Sequence, residues 1–363
     1  MNLFETTLLR FEKVSKFGII SLASQAALIG QFTPKSMAST SKVQVLEPVG
    51  RNTAPAIALA VRNLMDSGDS QAVVGVFPAD HYISDTPAFM ASLTTAIHAA
   101  QANAAKGSIV TLGIKPTYPA TGYGYIETRS EGTQPGTPVR TATRFHEKPD
   151  AARATEYLRS GSFFWNAGIF VARVDVLARA FEAYAPEIWS AVRAIANPEA
   201  PTKAEYERIP SVAFDVAIME KLPEHLCVPA DCGWSDVGSW DSLFSTLAER
   251  TKTGPSADNV VRIGSEGGSV LPHRNKKVVL VDLPDTNVVD TEDALLVYKT
   301  GSSEKVKNAV DELTKRKAPE ATAHPFEYRP WGNFEILRDT DAFKSKVIQV
   351  LPGQRLSYQS HTK

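Results

Sequence analysis

Over residues 1 to 115, short apolar runs alternate with stretches of helical spacing, and this rhythm restricts the fold more than any other feature of the chain. "LFETTLLRF" has helical spacing, "GIISLA" reads as a strand, and "KVQVLEP" as a strand ending at a turn. "NTAPAIALAVRNLM" is a well-marked helix: Asn52 or Thr53 can cap it, and Pro55 lies in the first turn, where no N–H is needed. "AVVGVFPAD" reads as a buried strand, "TPAFMASLTTAIHAA" as a helix and "SIVTLGI" as another strand. Alternation of this kind implies an α/β fold, a parallel sheet with helices on both faces. Ligands of such sheets bind beyond the carboxyl ends of the strands.

From 120 to 250 the pattern mixes. β-prone pieces ("GYGYIET", "VRTATRFHEKP", "FFWNAGIFVARV") are interleaved with helices near 150–159 and 174–184, as expected of an insertion that walls one side of a pocket. A Gly/Ser/Asp-containing stretch, 252–268, marks a boundary. Short β runs and a charged helix around 303–317 follow it, then a linker, "KAPEATAHPFEYRP", and a further β pattern from "WGNFEIL" onward. We therefore expect three segments: 1–250, a β appendage with a helix at 251–318, and a linker with a final β segment at 319–363.

The 363 residues are 43% hydrophobic and 22% charged, ordinary globular values that supply a sizeable core. Lys and Arg number 39 against 40 Asp and Glu, so no global charge points to nucleic acid or an anionic membrane. An anionic ligand must be met by local groups. Cys227 and Cys232 fit no common zinc spacing, and two thiols in so long a chain suggest a reducing compartment. "FGIISLASQAALIG" starts late and is interrupted by Ser21, Ser24 and Gln25, so it reads as a strand feeding a helix rather than a signal peptide. No apolar run approaches the ~20 residues a membrane span needs. We expect a cytoplasmic protein, compatible with homo-oligomerisation.

Six stretches carry residues suited to chemistry. Asp80 follows a hydrophobic strand in "FPADHYI"; it suits Mg²⁺ at the sheet's ligand edge, or it caps the next turn. His81 reads as a hydrogen-bonding partner in that turn. "EPVGRNTAPA" joins a strand end to a helix N-terminus, with free N–H groups for anions or polar bases, or with a good cap and a solvated Arg51. Gly122 and Gly124 around Tyr123 allow close backbone approach to a ligand, or form a β-turn. In "FHEKP", Glu147 suits sugar hydroxyls and Lys148 a phosphate, or the two form a surface ion pair. Asn166 in "FFWNAGIF" needs a partner, either a backbone group or a bound hydroxyl. "CGWSDVGSWDSL" packs Asp236 between Trp234 and Trp240: a surface turn, or a rigid loop aiming a carboxylate at a metal.

Taken in order, "LEPVGRNTAPAIALA", "FPADHYI", "GYGYIE", "FHEKP", "WNAGIF" and "WSDVGSW" resemble the bacterial mannose-1-phosphate guanylyltransferases, in the two-domain form that also carries a mannose-6-phosphate isomerase. "YRPWGNFEIL" and "VLPGQRLSYQSH" resemble the opening of that isomerase's cupin domain. The resemblance implies a Rossmann-like (GT-A-like) nucleotidyltransferase sheet, a small β appendage and an incomplete cupin segment. It implies transfer of GMP from GTP to mannose 1-phosphate, with Mg²⁺ held by Asp80 and Asp236. Trp234 and Trp240 would wedge the second acidic loop while Gly233 and Gly238 let it turn. Glu147 and Asn166 would hold mannose hydroxyls, Lys148 would approach phosphate, Gly124 would offer a backbone contact, and Gly50, Arg51 and Asn52 would line the guanine end.

Two departures from that family shape the expectation. The family opens with a strand and a Gly-rich, Arg-containing loop, whereas this chain opens at "MNLFETTLLR". His361 matches the first cupin metal ligand, yet the sequence stops two residues later. We expect no isomerase activity and an impaired transfer reaction. The alternatives are a non-catalytic sugar-nucleotide-binding homologue and a sister enzyme for another base or sugar.

Overall fold

The structure, a computed structural model, describes residues 2–14, 16–37, 41–132, 137–251 and 257–356, so His361 and residues 252–256 of the expected boundary lie outside the described residues. The chain divides into two compact units, Met1–Asp236 and Val237–Lys363.

The first unit opens with α1 (Leu3–Arg10), whose Asn2 and Glu5 form a reciprocal capping box. A parallel pair follows, β1 (Lys16–Leu22) and β2 (Ser41–Glu47), joined through α2 (Ala26–Phe32). After α3 (Thr53–Asp66) come β3 (Val73–Val76), β4 (Tyr82–Ile83), α4 (Thr86–Ala102) and β5 (Val110–Ile114). The inserted region supplies β6 (Tyr125–Gly132), β7 (Arg140–His146), α5 (Ala151–Ser160), β8 (Phe163–Arg173), α6 (Val174–Tyr184) and α7 (Pro186–Arg193). Two short helices, α8 (Lys203–Tyr206) and α9 (Phe214–Ala217), then lead to β9 (His225–Ala230) and β10 (Trp234–Ser235).

The main sheet has the order β3-β8-β5-β9-β7-β6. Only β5 and β9 are parallel in it, because the long apolar strand β8 runs antiparallel between β3 and β5. The expected all-parallel sheet is thus a mixed one: the insertion contributes a strand to the sheet's middle as well as a pocket wall. β6 pairs with both β7 and β8, which closes β8, β5, β9, β7 and β6 into a ring. Ile126, Ala142, Phe164 and Cys227 fill its interior. Space there is tight: a Cβ on Gly113 would come within 2.5 Å of Cys227 Sγ. The expectation of a buried strand at "AVVGVFPAD" is corrected as well. β3 is an edge strand of this sheet, and its valines are only partly buried.

Helices cover both faces. α4 lays Phe89, Leu93, Ala96 and Ala100 against β5, β8 and β9, while α3, α6 and α7 gather Ile57, Leu59, Leu177, Phe181 and Trp189 on the other side with Phe170 of β8. Burying these side chains stabilises the unit by roughly 1.5–3 kcal/mol for each large one. Both cysteines are free and buried; burial pushes the Cys227 thiol up to about 12 and that of Cys232 up to about 11.

In the second unit, α10 (Trp240–Thr251) precedes the parallel pairs β11 (Val260–Ile263) with β13 (Val278–Val281) and β12 (Val270–Leu271) with β14 (Thr286–Asp290); β15 (Leu295–Lys299) adds to β14. Val270, Leu280 and Val288 form its small core. α11 (Val306–Lys315) and an antiparallel sheet of β16 (Phe326–Arg329), β17 (Gly332–Asp339) and β18 (Lys344–Val350) complete it. Among the described residues no helix is long and apolar enough to cross a membrane.

Candidate active site

Two acidic loops are stitched into one ladder. β4 pairs antiparallel with β10, Ile83 opposite Trp234 and Tyr82 opposite Ser235. The pairing continues through Ser84 N–H to Gly233 O (3.1 Å) and Asp85 N–H to Cys232 O (3.0 Å). One step further in the other direction, the same register sets Asp236 opposite His81, beside Asp80. Close packing demands the glycine here: Gly233 has φ +60°, and a Cβ on it would meet Ser84 Oγ at 1.7 Å. Val237, at φ 50°, is a second left-handed residue of this loop.

His81 stands between the two acids. Its Nδ1 accepts the indole N–H of Trp234 at 3.1 Å, so the neutral ring carries its proton on Nε2. Burial holds its pKa below the usual histidine range, against Asp80 and Asp236, which both favour protonation. Asp80 is exposed and makes no side-chain hydrogen bond among the described residues; the cap of the following helix is Asp85, which accepts from Ala88 N–H at 2.9 Å. Of the two readings of Asp80 from sequence, the turn cap therefore does not apply. Behind His81, Arg10 donates to its carbonyl at 3.3 Å.

From Asp236 the contacts run on to the insertion. Tyr123 Oη donates to Asp236 Oδ1 at 2.9 Å, and burial, the largest cause, keeps that phenol protonated. Next to Tyr123, Gly124 accepts the Asn166 N–H through its carbonyl at 2.9 Å. A Cβ on Gly124 would lie 3.1 Å from Glu147 Oε2, so Gly124, Glu147 and Asn166 meet in one place. Glu147 pairs with Lys148 at 3.1 Å, and Lys148 is strained to φ 37° and exposed. Of the two readings of "FHEKP", the surface ion pair is present.

Sequence reasoning missed Asp215. Asn166 Nδ2 donates to Asp215 Oδ1 at 2.7 Å while Asn166 Oδ1 accepts Gly168 N–H at 3.0 Å, which fixes the amide's orientation. Burial raises the Asp215 carboxyl above its usual range, and Glu147 adds to the rise. Burial likewise raises Glu220, with Glu147 and Asp215 contributing. The one signal in the sequence was an acid flanked by Phe214 and Val216.

Gly50, Arg51 and Asn52 form a separate group at the exit of β2. Asn52, at φ 68°, accepts Thr53 N–H at 2.9 Å and caps α3. Arg51 is half-buried and tied to backbone rather than free in solvent: its Nε reaches the Ile209 carbonyl at 2.8 Å and its Nη2 the Glu207 carbonyl at 2.5 Å. The 207–215 segment is tied here too, through Phe214 N–H to Thr53 Oγ1 at 2.8 Å.

Among the described residues no group of three or more His, Cys, Asp or Glu has metal-holding geometry. Two carboxylates on adjoining loops still suit Mg²⁺, which is commonly bound by one or two carboxylates with waters and substrate phosphates.

A mixed α/β sheet with its acidic loops beyond the strand ends puts those loops where ligands of such folds bind. Comparison with known proteins gives the family. Residues 3–253 match the nucleotidyl transferase family and residues 316–363 the mannose-6-phosphate isomerase C-terminal family. The xanthan biosynthesis protein XanB of Xanthomonas campestris pv. campestris (strain B100) is 36% identical over 87% of this chain and 67% of its own length. A mannose-1-phosphate guanylyltransferase of Escherichia coli is 36% identical over 87% of this chain and 68% of its own. The crystal structure of a protein named mannose-1-phosphate geranyltransferase, from Thermus thermophilus, superposes with a TM-score of 0.66 at 28% identity, covering 86% of this chain and 89% of that one. The chain belongs to the nucleotidyl transferase family, with a mannose-6-phosphate isomerase C-terminal segment, and is a nucleotidyltransferase. Enzymes of this family generally use a divalent metal.

Proposed function

We propose that this chain transfers GMP from GTP to mannose 1-phosphate, giving GDP-mannose and pyrophosphate. The observation that carries the reading is the ladder that binds the Asp80 and Asp236 loops together, with both acids acting on one imidazole. The names of the relatives support the substrates.

In the reaction a phosphate oxygen of mannose 1-phosphate attacks the α-phosphorus of GTP; the new P–O bond forms as the bond to the β-phosphate oxygen breaks, and pyrophosphate leaves with that electron pair. A phosphate monoester with a second pKa near ~6 is already mostly dianionic at neutral pH, so no general base is required. Catalysis then rests on positioning two anions and offsetting their charge. Asp80 and Asp236 would hold Mg²⁺, which when bound supplies charge neutralisation on the phosphates. Glu147 accepts sugar hydroxyls. Asn166, its amide fixed by Asp215 and Gly168, presents its remaining N–H. Lys148 approaches phosphate, Gly124 offers a backbone contact to the sugar, and Gly50, Arg51 and Asn52 shape the guanine end through backbone held by Arg51.

The test supplies GTP, mannose 1-phosphate and Mg²⁺ and follows pyrophosphate release. Turnover is expected with GTP above other nucleotides. Asp236→Asn or Asp80→Asn should lower it by about 100-fold or more, by analogy with the loss of one transition-state contact. Full turnover by both variants would overturn the assignment of the acids, and preference for another nucleotide would overturn the guanine assignment.

A further inference from the structure

Away from the acidic loops, the ring of strands opens on a cleft of about 430 Å³ lined by Lys115, Arg140, Phe163, Phe164, Pro229 and Asp231. It is separate from the site described above. Arg140 opens β7, whereas Glu147 and Lys148 follow that strand's other end. The lining residues converge by strand alternation. On β8 and β5 the register pairs Trp165 with Ile114, and on β5 and β9 Ile114 with Ala230. One position further along, Phe164, Lys115 and Asp231 fall in a row, while Arg140 enters beside Cys227 of β9.

The charges in this cleft have no ion-pair partners among the described residues. Arg140 lies over the Phe164 ring, 5.1 Å from guanidinium carbon to centroid, a cation–π contact. Among the described residues, neither Arg140 nor Lys115 has a carboxylate within ion-pair distance, and Asp231 has no cation within it. Lys115 and Arg140 turn two positive charges to one concavity, and an anion held there is attracted by both. A stacked guanidinium keeps its N–H fork free for bidentate contact with phosphate, and Lys supplies a mobile second charge. Pro116 and Pro229 give the cleft an apolar wall, and Asp231 can accept a hydrogen bond from a hydroxyl. The volume lies within the range of small-molecule sites.

We propose that this cleft is a second ligand site that takes a small phosphomonoester, its phosphate on Arg140 and Lys115, its ring along Pro116 and Pro229 and a hydroxyl donated to Asp231. The same chemistry is offered by a nucleoside monophosphate and by a hexose phosphate.

The test titrates AMP, glucose 6-phosphate and inorganic phosphate separately into the full chain and follows backbone amide resonances. Saturable shifts at Lys115, Phe163 and Asp231 are expected with at least one of the two organic phosphates; which of them binds tighter identifies the source of the ring, and inorganic phosphate should bind more weakly than either. Arg140→Met should weaken binding about tenfold or more and Arg140→Lys less, with both variants shown to be folded by their unfolding midpoints. Asp236→Asn should leave the cleft shifts intact even if it abolishes turnover, which separates this proposal from the reaction proposed above. No shift at the cleft up to millimolar ligand, or cleft shifts unchanged by Arg140→Met, would overturn it.

Discussion

Asp215 holds the amide of Asn166 from a position where a carboxylate is uncomfortable. Burial raises its pKa, so in the folded chain it binds a proton more readily than in the unfolded chain. The raised pKa therefore carries a folding penalty at higher pH that is relieved as pH falls towards the unfolded value near 4. Asp215→Asn removes that penalty and keeps an oxygen for Asn166, so urea unfolding at pH 7.5 should show equal or greater stability. Asp215→Ala leaves a part-buried N–H without its acceptor and should cost about 1 kcal/mol in the same experiment. In the proposed reaction both should raise KM for the sugar phosphate more than KM for GTP. The sequence made Asn166 visible because it breaks the apolar run of its strand, and Gly124 and Glu147 because they stand at the ends of β-prone pieces. It hid Asp215 because the acid's partner is 49 residues away, and it hid the use of Arg51 because backbone carbonyls at 207 and 209 leave no mark in a side-chain pattern.

At the scale of elements, local signals carried far. Asn52 and Pro55 marked the start of α3, and the unbroken apolar run of "FFWNAGIFVARV" marked β8. Strand order was not legible, since nothing in β8 itself says that it slots between β3 and β5. β9 carries a feature that periodicity shows only as one more buried position. His225 is buried with Nε2 unpartnered, and burial lowers its pKa to about 4. The folded chain then binds fewer protons than the unfolded chain between pH ~6.5 and about 4. Its contribution to stability is complete above ~6.5 and is lost as pH falls through that window, on the order of 3 kcal/mol in all. His81, also lowered by burial, acts with the same sign. Unfolding free energies measured from pH 7 to 4 should decline, and the decline should be shallower in His225→Phe by about that amount.

For the whole molecule, two units with their own cores imply that unfolding is not a single two-state event. The second unit's buried cluster is Val270, Leu280 and Val288, far smaller than the clusters of the first. Calorimetry should resolve two transitions, the lower one belonging to Val237–Lys363. Leu280→Ala, costing about 2–5 kcal/mol, should move that transition and leave the upper one in place. A single transition displaced as a unit would contradict this. The ring made by β6 bonding along both its edges has its own kinetic consequence. Exposing the shared amides of β6 and β8 to solvent requires two hydrogen-bonded seams to part together, so fraying from one side is blocked. In deuterium exchange, Tyr125, Ile126, Phe164 and Trp165 should swap their protons in step and slowly, as one cooperative block.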